Sequence, residues 1–448
     1  MCGKSGKDAR VAYLLNGIYA GLLLIAAPWL VFQALKHGKY RQGFAEKFWG
    51  WLPLRRNGKQ CAWFHAVSVG EVNLIEPILR EFCRRRPEWD VIISTTTLTG
   101  HQLARRKYPE FTVCYCPLDF SWAVRNAMRR VEPNLLVLAE LELWPNLIRE
   151  AYASGAVVSV VNGRLSDRSF RGYSRLARWL APVLKKIDLV AVQTEEYAER
   201  FRALGAGIDT VCVTGSVKFD GACTNPHNIN TRRLASLAGI QPQDQVFLAG
   251  STQAAEESIA LQTFQQLSTK HPHLRLILVP RHPERFEEVA LLLRRSGLPW
   301  QKRSELGQQP PNPATRILLV DTIGELGAWW GTADFAFVGG SMGTRGGQNM
   351  IEPAAYGAAV CFGPHTQNFR DISSALLAAN AAQVVSNGEE LTSFVERCLL
   401  NPHFAADLGQ RAQQLVLQNQ GATELTVDYL LALLDDQPVQ TQVLSRAA

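Results

Sequence analysis

A two-domain α/β protein is what this sequence predicts, and three observations predict it. Short apolar runs alternate with helical patterns, the rhythm breaks once near residue 220, and the charge balance changes sign at that break. The first series of runs covers 62–64, 91–94, 135–138, 157–161, 189–193 and 211–213; the second covers 246–249, 274–279, 316–320, 334–338 and 359–362. Apolar runs that each lead into a helical pattern read as βα units of a mostly parallel sheet. Between the series, 219–244 is rich in Asn, Thr, Gly and Pro and reads as an interdomain connection. At 448 residues the chain is too long for one ordinary core and suits two domains of about 200 residues each. Two Rossmann-like domains with a cleft between them follow, with ligands expected at the carboxyl ends of the strands.

Ahead of the first series, residues 11–35 carry no formal charge over 25 positions, long enough to span a hydrocarbon core. Lys4, Lys7 and Arg10 precede this run and Lys36, Lys39, Arg41 and Lys47 follow it, which leans toward a cytoplasmic body. No small-residue cleavage site is evident, so an uncleaved anchor is expected rather than a signal peptide. Asn16, Pro28 and Gln33 dilute the run, leaving open a helix that lies in the membrane interface, or one buried in a core. The organisation is therefore anchor 1–36, first domain 37–220, connection 221–244, second domain 245–425, and a C-terminal helix with tail 426–448.

Through Lys218 the chain holds 31 Lys+Arg against 19 Asp+Glu, and beyond it 16 against 21. A first half at +12 beside a second at −5 suggests that the first meets something anionic, a membrane with phosphorylated lipids rather than nucleic acid. Zinc-finger spacing, RNA-recognition signatures and heptad arrays are missing, and nucleic acid is not expected. The nine cysteines form no CxxC pair and read as reduced core thiols; the histidines show no HxxxH or HExxH spacing, so no structural metal is expected. Neither GxGxxG with a downstream acid nor a Walker A lysine occurs, which gives no support to a nicotinamide, flavin or other cofactor.

Chemistry-bearing residues cluster where strands end. In 339–363, paired glycines at 339/340 and 346/347 follow an apolar strand, and Asn349 precedes a short helix through Glu352. Such a loop turns backbone N–H groups toward an anion while a first-turn carboxylate accepts from ribose hydroxyls, although a strand-to-helix turn without a ligand reads the same way. After the first strand, His65-Ala-Val-Ser68-Val-Gly70-Glu71 opens a helix. Glu71 is placed either to act as a general base on an acceptor hydroxyl or only to stabilise the first helical turn. Glu140 and Glu142, in Glu-Leu-Glu-Leu-Trp-Pro-Asn146, share one side if extended and suit hydroxyls or amines, or else pair with arginines. The stretch 162–179 interleaves Arg164, Arg168, Arg171, Arg175 and Arg178 with aromatics, either for lipid headgroups or as a solvated face. In the second half, Gly250-Ser251-Thr252, Pro280-Arg281-His282 and Asp321-Thr-Ile-Gly324-Glu325 each close a strand. Arg281 is suited to a charge-assisted contact with phosphate or carboxylate.

Taken together, the segments HAVSVGE, STTTLTG, LELWPN, NGRLSDRSF, KFD, PRHPER, DTIGEL, FVGGS and GGQNMIEPAAYG stand in the order found in one family. The chain resembles the 3-deoxy-D-manno-octulosonic acid (Kdo) transferases of lipopolysaccharide assembly over nearly its whole length. The resemblance implies a GT-B glycosyltransferase, metal-independent and anomer-inverting. It would move Kdo from CMP-Kdo to the primary hydroxyl of a lipid A precursor at the cytoplasmic face of the inner membrane. Carried over by position, it implies Glu71 as the base and Ser68, Gly70, Glu140, Glu142, Arg164 and Arg168 on the acceptor side. On the donor side it implies Lys218, Ser251, Thr252, Arg281, His282, Gly324, Glu325, Gly340, Ser341, Asn349 and Glu352, with the N–H groups of the glycine loops and Arg281 receiving the leaving phosphate and Lys218 the Kdo carboxylate. Two departures stand out. Gln253 and Ala254 occupy positions where the family usually has histidine and glycine, and GGHNPLEP appears here as Gly-Gly-Gln348-Asn-Met350-Ile-Glu-Pro. Gln348 retains hydrogen bonding but cannot titrate. Another GT-B sugar-nucleotide transferase, a nucleotide-sugar 2-epimerase and a non-catalytic membrane scaffold are the competing readings; the uncharged 11–35 run and the basic first half oppose the epimerase.

Overall fold

The computed structural model describes residues 5–37, 42–307, 312 and 314–435. The chain divides into two compact units, residues 1–220 with 420–448, and residues 221–419.

The first unit is built on seven strands, β1 (Cys61–His65), β2 (Asp90–Thr95), β3 (Thr112–Tyr115), β4 (Leu135–Ala139), β5 (Val157–Gly163), β6 (Leu189–Val192) and β7 (Val211–Val213). They lie side by side in the order β3-β2-β1-β4-β5-β6-β7, every pair parallel. Strands β1 and β4 are buried at every position, which is why they read as continuous apolar runs: helices cover both faces. The second unit repeats the plan with β8 (Gln245–Thr252), β9 (Leu274–Pro280), β10 (Trp300–Lys302), β11 (Ile317–Leu319), β12 (Phe335–Val338), β13 (Ala359–Phe362) and β14 (Ala382–Val384). Their order is β10-β11-β9-β8-β12-β13-β14, again all parallel. Strand order reverses between β1 and β4 in one unit and between β8 and β12 in the other. Loops leaving the carboxyl ends at such switch points diverge and leave room for a ligand.

Three edge strands, β3, β10 and β14, do not figure among the expected runs. Each has three or four residues and is at most half buried, so its apolar signal is weak. The stretch 221–244 is not a bare connection. It holds a helix, Ile229–Leu237, opened by Asn228, whose Oδ1 accepts the Thr231 N–H (3.0 Å). Residues 420–435 belong to the first unit rather than following the second sheet. Asp220 accepts the N–H groups of Gly421 (2.7 Å) and Thr423 (2.6 Å), opening the helix Ala422–Leu434; that helix lies against Glu76–Arg85, with an ion pair of Arg85 and Asp428 between them and one of Arg86 and Asp435 just past their ends. The tail beyond 435 lies outside the described residues. Of the cysteines, Cys61, Cys114, Cys116, Cys361 and Cys398 are buried thiols as expected, whereas Cys223 is exposed.

The expected membrane span requires correction. Residues Ser5–His37 form one helix, but among the described residues no helix is long and apolar enough to cross a membrane. Two of its polar side chains are used against the body. Asn16 donates to Ser121 Oγ (2.7 Å) and accepts the Ser121 N–H (2.9 Å), and Tyr19 donates its O–H to Asp119 (3.0 Å).

Candidate functional site

In the first unit the sequence motifs gather at the β1/β4 switch point. The turn after β1 enters the helix Val69–Leu74, where Glu71 folds back on the turn. Its Oε2 accepts the Val67 N–H (2.8 Å) and its Oε1 accepts the Ser68 hydroxyl (3.0 Å). The first-turn role considered for Glu71 is therefore real, and it fixes the direction of the carboxylate. Burial still pushes this carboxyl up to about 7; the Val67 N–H pulls down and the charges of Glu142 and Glu140 push up again. An oriented carboxylate titrating near neutrality is what a general base requires. Gly70 is exposed beside it.

The loop after β4 supplies the neighbouring acids. Glu140 adopts a left-handed backbone (φ 53°) as its N–H bonds to the Val161 carbonyl (3.0 Å), turning the chain out of the sheet. Glu142 accepts the Trp144 indole N–H (2.8 Å), and burial, then Glu140, raises its proton affinity. Trp144 stands edge-on to His65, 6.0 Å between centroids, which locks the two loops together. His65 is fully buried and bonded to Ser94; burial lowers its imidazole to about 4, so it is a neutral floor.

Beside these loops, Asn162 (φ 53°) accepts the Val217 N–H on its side chain (3.2 Å) and a Gln193 N–H on its carbonyl (3.1 Å). That ties the Arg164 loop to the turn holding Lys218, both half-buried. Lys218, expected on the donor side, thus belongs to the first unit. Arg168 is exposed on the helix Asp167–Ser174, in a surface shared with Arg171, Arg175, Arg178, Leu176 and Trp179. A groove of about 850 Å³, lined by Arg55, Arg56, Lys59, Arg125 and Arg129 among others, opens at the opposite, amino ends of the strands.

In the second unit, motifs converge on the β8/β12 switch point, but several donors are already engaged. Glu256, which opens the helix after β8, is 2% exposed and accepts four backbone N–H groups: Gln253 (2.8 Å), Gly340 (2.7 Å), Ser341 (3.0 Å) and Met342 (3.0 Å). The expectation that Gly340 and Ser341 turn their N–H groups toward a phosphate is corrected: the glycine loop is wrapped around an internal carboxylate. A buried carboxylate needs such donors, and the loop supplies them. Loop and strand approach so closely that a Cβ on Gly339 would stand 2.6 Å from Thr252 Cα. Ser341 is fully buried, donating to the Val338 carbonyl (2.6 Å) and accepting the Gly363 N–H (2.8 Å), a staple between β12 and β13. The Thr252 hydroxyl is spent on Glu257 (2.8 Å), which also pairs with Arg285 (2.5 Å). Glu325 is held bidentately by Arg303 (2.8 and 2.7 Å) and by Thr322 (2.8 Å); burial pushes its carboxyl up, yet these bonds leave it below the usual range.

What remains outward-facing is Arg281, exposed at the end of β9, with its N–H on the Thr252 carbonyl (3.0 Å). Half-buried His282 follows it, and Ser251 holds a left-handed backbone (φ 54°) at the end of β8. Glu352 completes the set. Asn349 donates to it (3.0 Å) while accepting the Ile351 N–H (3.1 Å). Burial raises the Glu352 carboxyl, and Asn349 and Arg281 pull it back. Gly327, three residues beyond the left-handed Gly324 (φ 87°), lies against the Glu352 carboxylate.

A family model described as 3-deoxy-D-manno-octulosonic-acid transferase (kdotransferase) matches residues 38–221. The 3-deoxy-D-manno-octulosonic acid transferase of Haemophilus influenzae is 32% identical over 424 residues, 93% of this chain and 98% of that protein. The chain belongs to this family. The enzyme of the same description from Bordetella pertussis is 32% identical over 430 residues, with 93% and 98% covered. Kdo transferases are glycosyltransferases, so the family reading of the chain holds and the scaffold reading loses its ground. Among solved structures, a UDP-GlcNAc 2-epimerase from Neisseria meningitidis bound to UDP-GlcNAc matches with TM-score 0.56 at 13% identity, covering 83% of this chain and 100% of that one. At that identity the likeness shows the two-unit parallel α/β fold alone.

Within the Kdo transferase frame, sequence reasoning brought Glu71, Glu140 and Glu142 to one place, and Arg281, Asn349 and Glu352 to another. It missed Glu256 and Asp119. For Glu256 a signal existed, since two adjacent acids, Glu256 and Glu257, open a helix at positions that turn out to be buried. For Asp119 there was none.

Proposed function

We propose that the chain transfers Kdo from CMP-Kdo to a primary hydroxyl of a lipid A precursor, with inversion and without a metal, on the cytoplasmic side of the inner membrane. The observation that carries this reading is Glu71. Its carboxylate is oriented by Val67 and Ser68, flanked by two further acids, and tuned to about 7, at the position of the family's base. As the acceptor oxygen attacks the anomeric carbon, Glu71 takes the hydroxyl proton and CMP departs from the opposite face. Glu142 and Glu140 orient acceptor hydroxyls, and the basic residues Arg164 and Arg168 meet its phosphates. On the donor side, Arg281 neutralises the leaving phosphate and Glu352, steadied by Asn349, accepts from the ribose. Lys218 pairs with the Kdo carboxylate. The Gly340 and Ser341 amides act at one remove, by shaping the loop around Glu256.

Association with the bilayer is proposed through the helix Ser5–His37 lying along the interface. Its Leu24 is 75% and its Ile25 81% exposed, with Leu22, Trp29 and Phe32 also open to solvent. Trp49 and Trp51 are exposed as well, and the basic stretch on 168–178 suits anionic headgroups.

Arg281→Ala is expected to weaken CMP binding about tenfold or more in isothermal titration, because a charge-assisted contact is lost. Unchanged affinity would remove Arg281 from the phosphate site. The reading as a whole is tested by following CMP release from CMP-Kdo with and without lipid A precursor, chelator present. Release that depends on the acceptor supports it. Turnover that needs no acceptor, or stops on chelation, overturns it.

A further inference from the structure

The loop that carries Glu140 and Glu142 runs into the helix Pro145–Ala153, and its first turn is not capped from within: Trp144, at the cap position, makes no side-chain bond to it. The missing acceptor comes from a distant loop. Asp119, 4% exposed, accepts the Asn146 N–H (3.0 Å) on Oδ2 and the Leu147 N–H (2.8 Å) on Oδ1, while its carbonyl accepts the Asn146 side-chain N–H (2.5 Å). The same carboxylate takes the Tyr19 O–H (3.0 Å) from the N-terminal helix. One turn earlier in that helix, Asn16 and Ser121 exchange two bonds, and the Tyr19 ring stands edge-on to Phe120 at 6.1 Å. Three elements far apart in sequence therefore meet on one buried carboxylate: the helix Ser5–His37, the segment 119–121 and the helix that terminates the acidic loop.

Burial alone does not require this arrangement. A helix start can be satisfied by its own Ser, Thr, Asp or Asn, and here a carboxyl that burial pushes up to about 7 is taken out of water to do it. With both oxygens committed, Asp119 has no reach toward a reacting atom. What it fixes is where the loop stops, and so where Glu142 and Trp144 stand.

We propose that Asp119, oriented by Tyr19, is a positioning residue that sets the acidic acceptor loop from the N-terminal helix. The proposal rests on the reading of Glu140 and Glu142 as acceptor-side residues. Its consequence is that the docked state of that helix is felt at the acceptor side and not at the donor side.

Tyr19→Phe tests this with the full chain in detergent micelles, since it removes one oxygen from a half-buried ring. The Michaelis constant for lipid A precursor is expected to rise about fivefold, that for CMP-Kdo to stay within about twofold, and amide hydrogen exchange at Asn146 and Leu147 to quicken. Asp119→Asn, which turns an N–H₂ toward N–H groups, is expected to act in the same direction more strongly. An unchanged acceptor constant with unchanged exchange would overturn the proposal. So would a fall in melting temperature with both Michaelis constants intact, as a purely structural tie predicts. If the wild-type protein shows no turnover with lipid A precursor, the acceptor reading fails; the exchange measurement on Tyr19→Phe still reports whether the tie holds the loop.

Discussion

Replacing Glu71 with glutamine is expected to lower turnover by about two orders of magnitude or more while leaving CMP affinity nearly unchanged. The substitution is nearly isosteric, and an amide oxygen can still accept the Val67 N–H, so the turn after β1 should keep its shape. What disappears is the group that receives the proton. Wild-type kcat/KM should rise through about pH 7 as the buried carboxyl ionises, and the residual activity of the variant should lack that limb. Stability moves in the other direction. A carboxyl whose folded value is raised binds more protons folded than unfolded between its ordinary range and about 7, so its contribution to stability falls as pH climbs through that window. Above pH 7 the glutamine variant should therefore be no less stable than wild type. Near-normal turnover, or a lower melting temperature with no kinetic change, would reduce Glu71 to a helix-start residue.

Glu256→Ala is expected to have the largest effect on the second unit. Four backbone N–H groups converge on this carboxylate, all from Gln253 or from the loop 340–342. Removing it leaves several buried donors without a partner, each costing about 1–3 kcal/mol. A loss of about 3–5 kcal/mol in chemical denaturation is expected, together with a collapse of CMP binding as the loop loses its shape. Glu256→Gln should fall between, because one oxygen accepts while the N–H₂ group opposes the remaining donors. Wild-type stability in the alanine variant would mean that the loop holds its form without the internal anion. Nucleotide binding undiminished in the alanine variant would mean that loop shape does not matter to the donor.

The central strands were legible because burial on both faces selects mainly apolar residues: β1, β4, β8 and β12 stand out for that reason. The edge strands β3, β10 and β14 are short and half exposed, and pattern reasoning passes over them. Candidate residues at strand ends were found because topology alone brings carboxyl ends together at a switch point. What each residue does there depends on partners that spacing cannot reveal. Glycines 339 and 340 read as a cradle for an external anion, and only the tertiary structure shows Glu256 inside it. Glu325 read as a donor contact, and Arg303 holds it. Asp119 meets Tyr19 and Asn146 across separations that no local pattern encodes. The helix Ser5–His37 illustrates the same limit. Its apolar content suggested a span, whereas Asn16, which looks like dilution of that run, and Tyr19 are the residues that dock it.

The most direct test of the account is the mass of the lipid product when the purified protein is given CMP-Kdo, generated in situ, and tetraacylated lipid A precursor in the presence of chelator. The account predicts a gain of whole Kdo units on the lipid, lost in Glu71→Gln. An unmodified lipid, recovered from protein that still binds CMP, would contradict it.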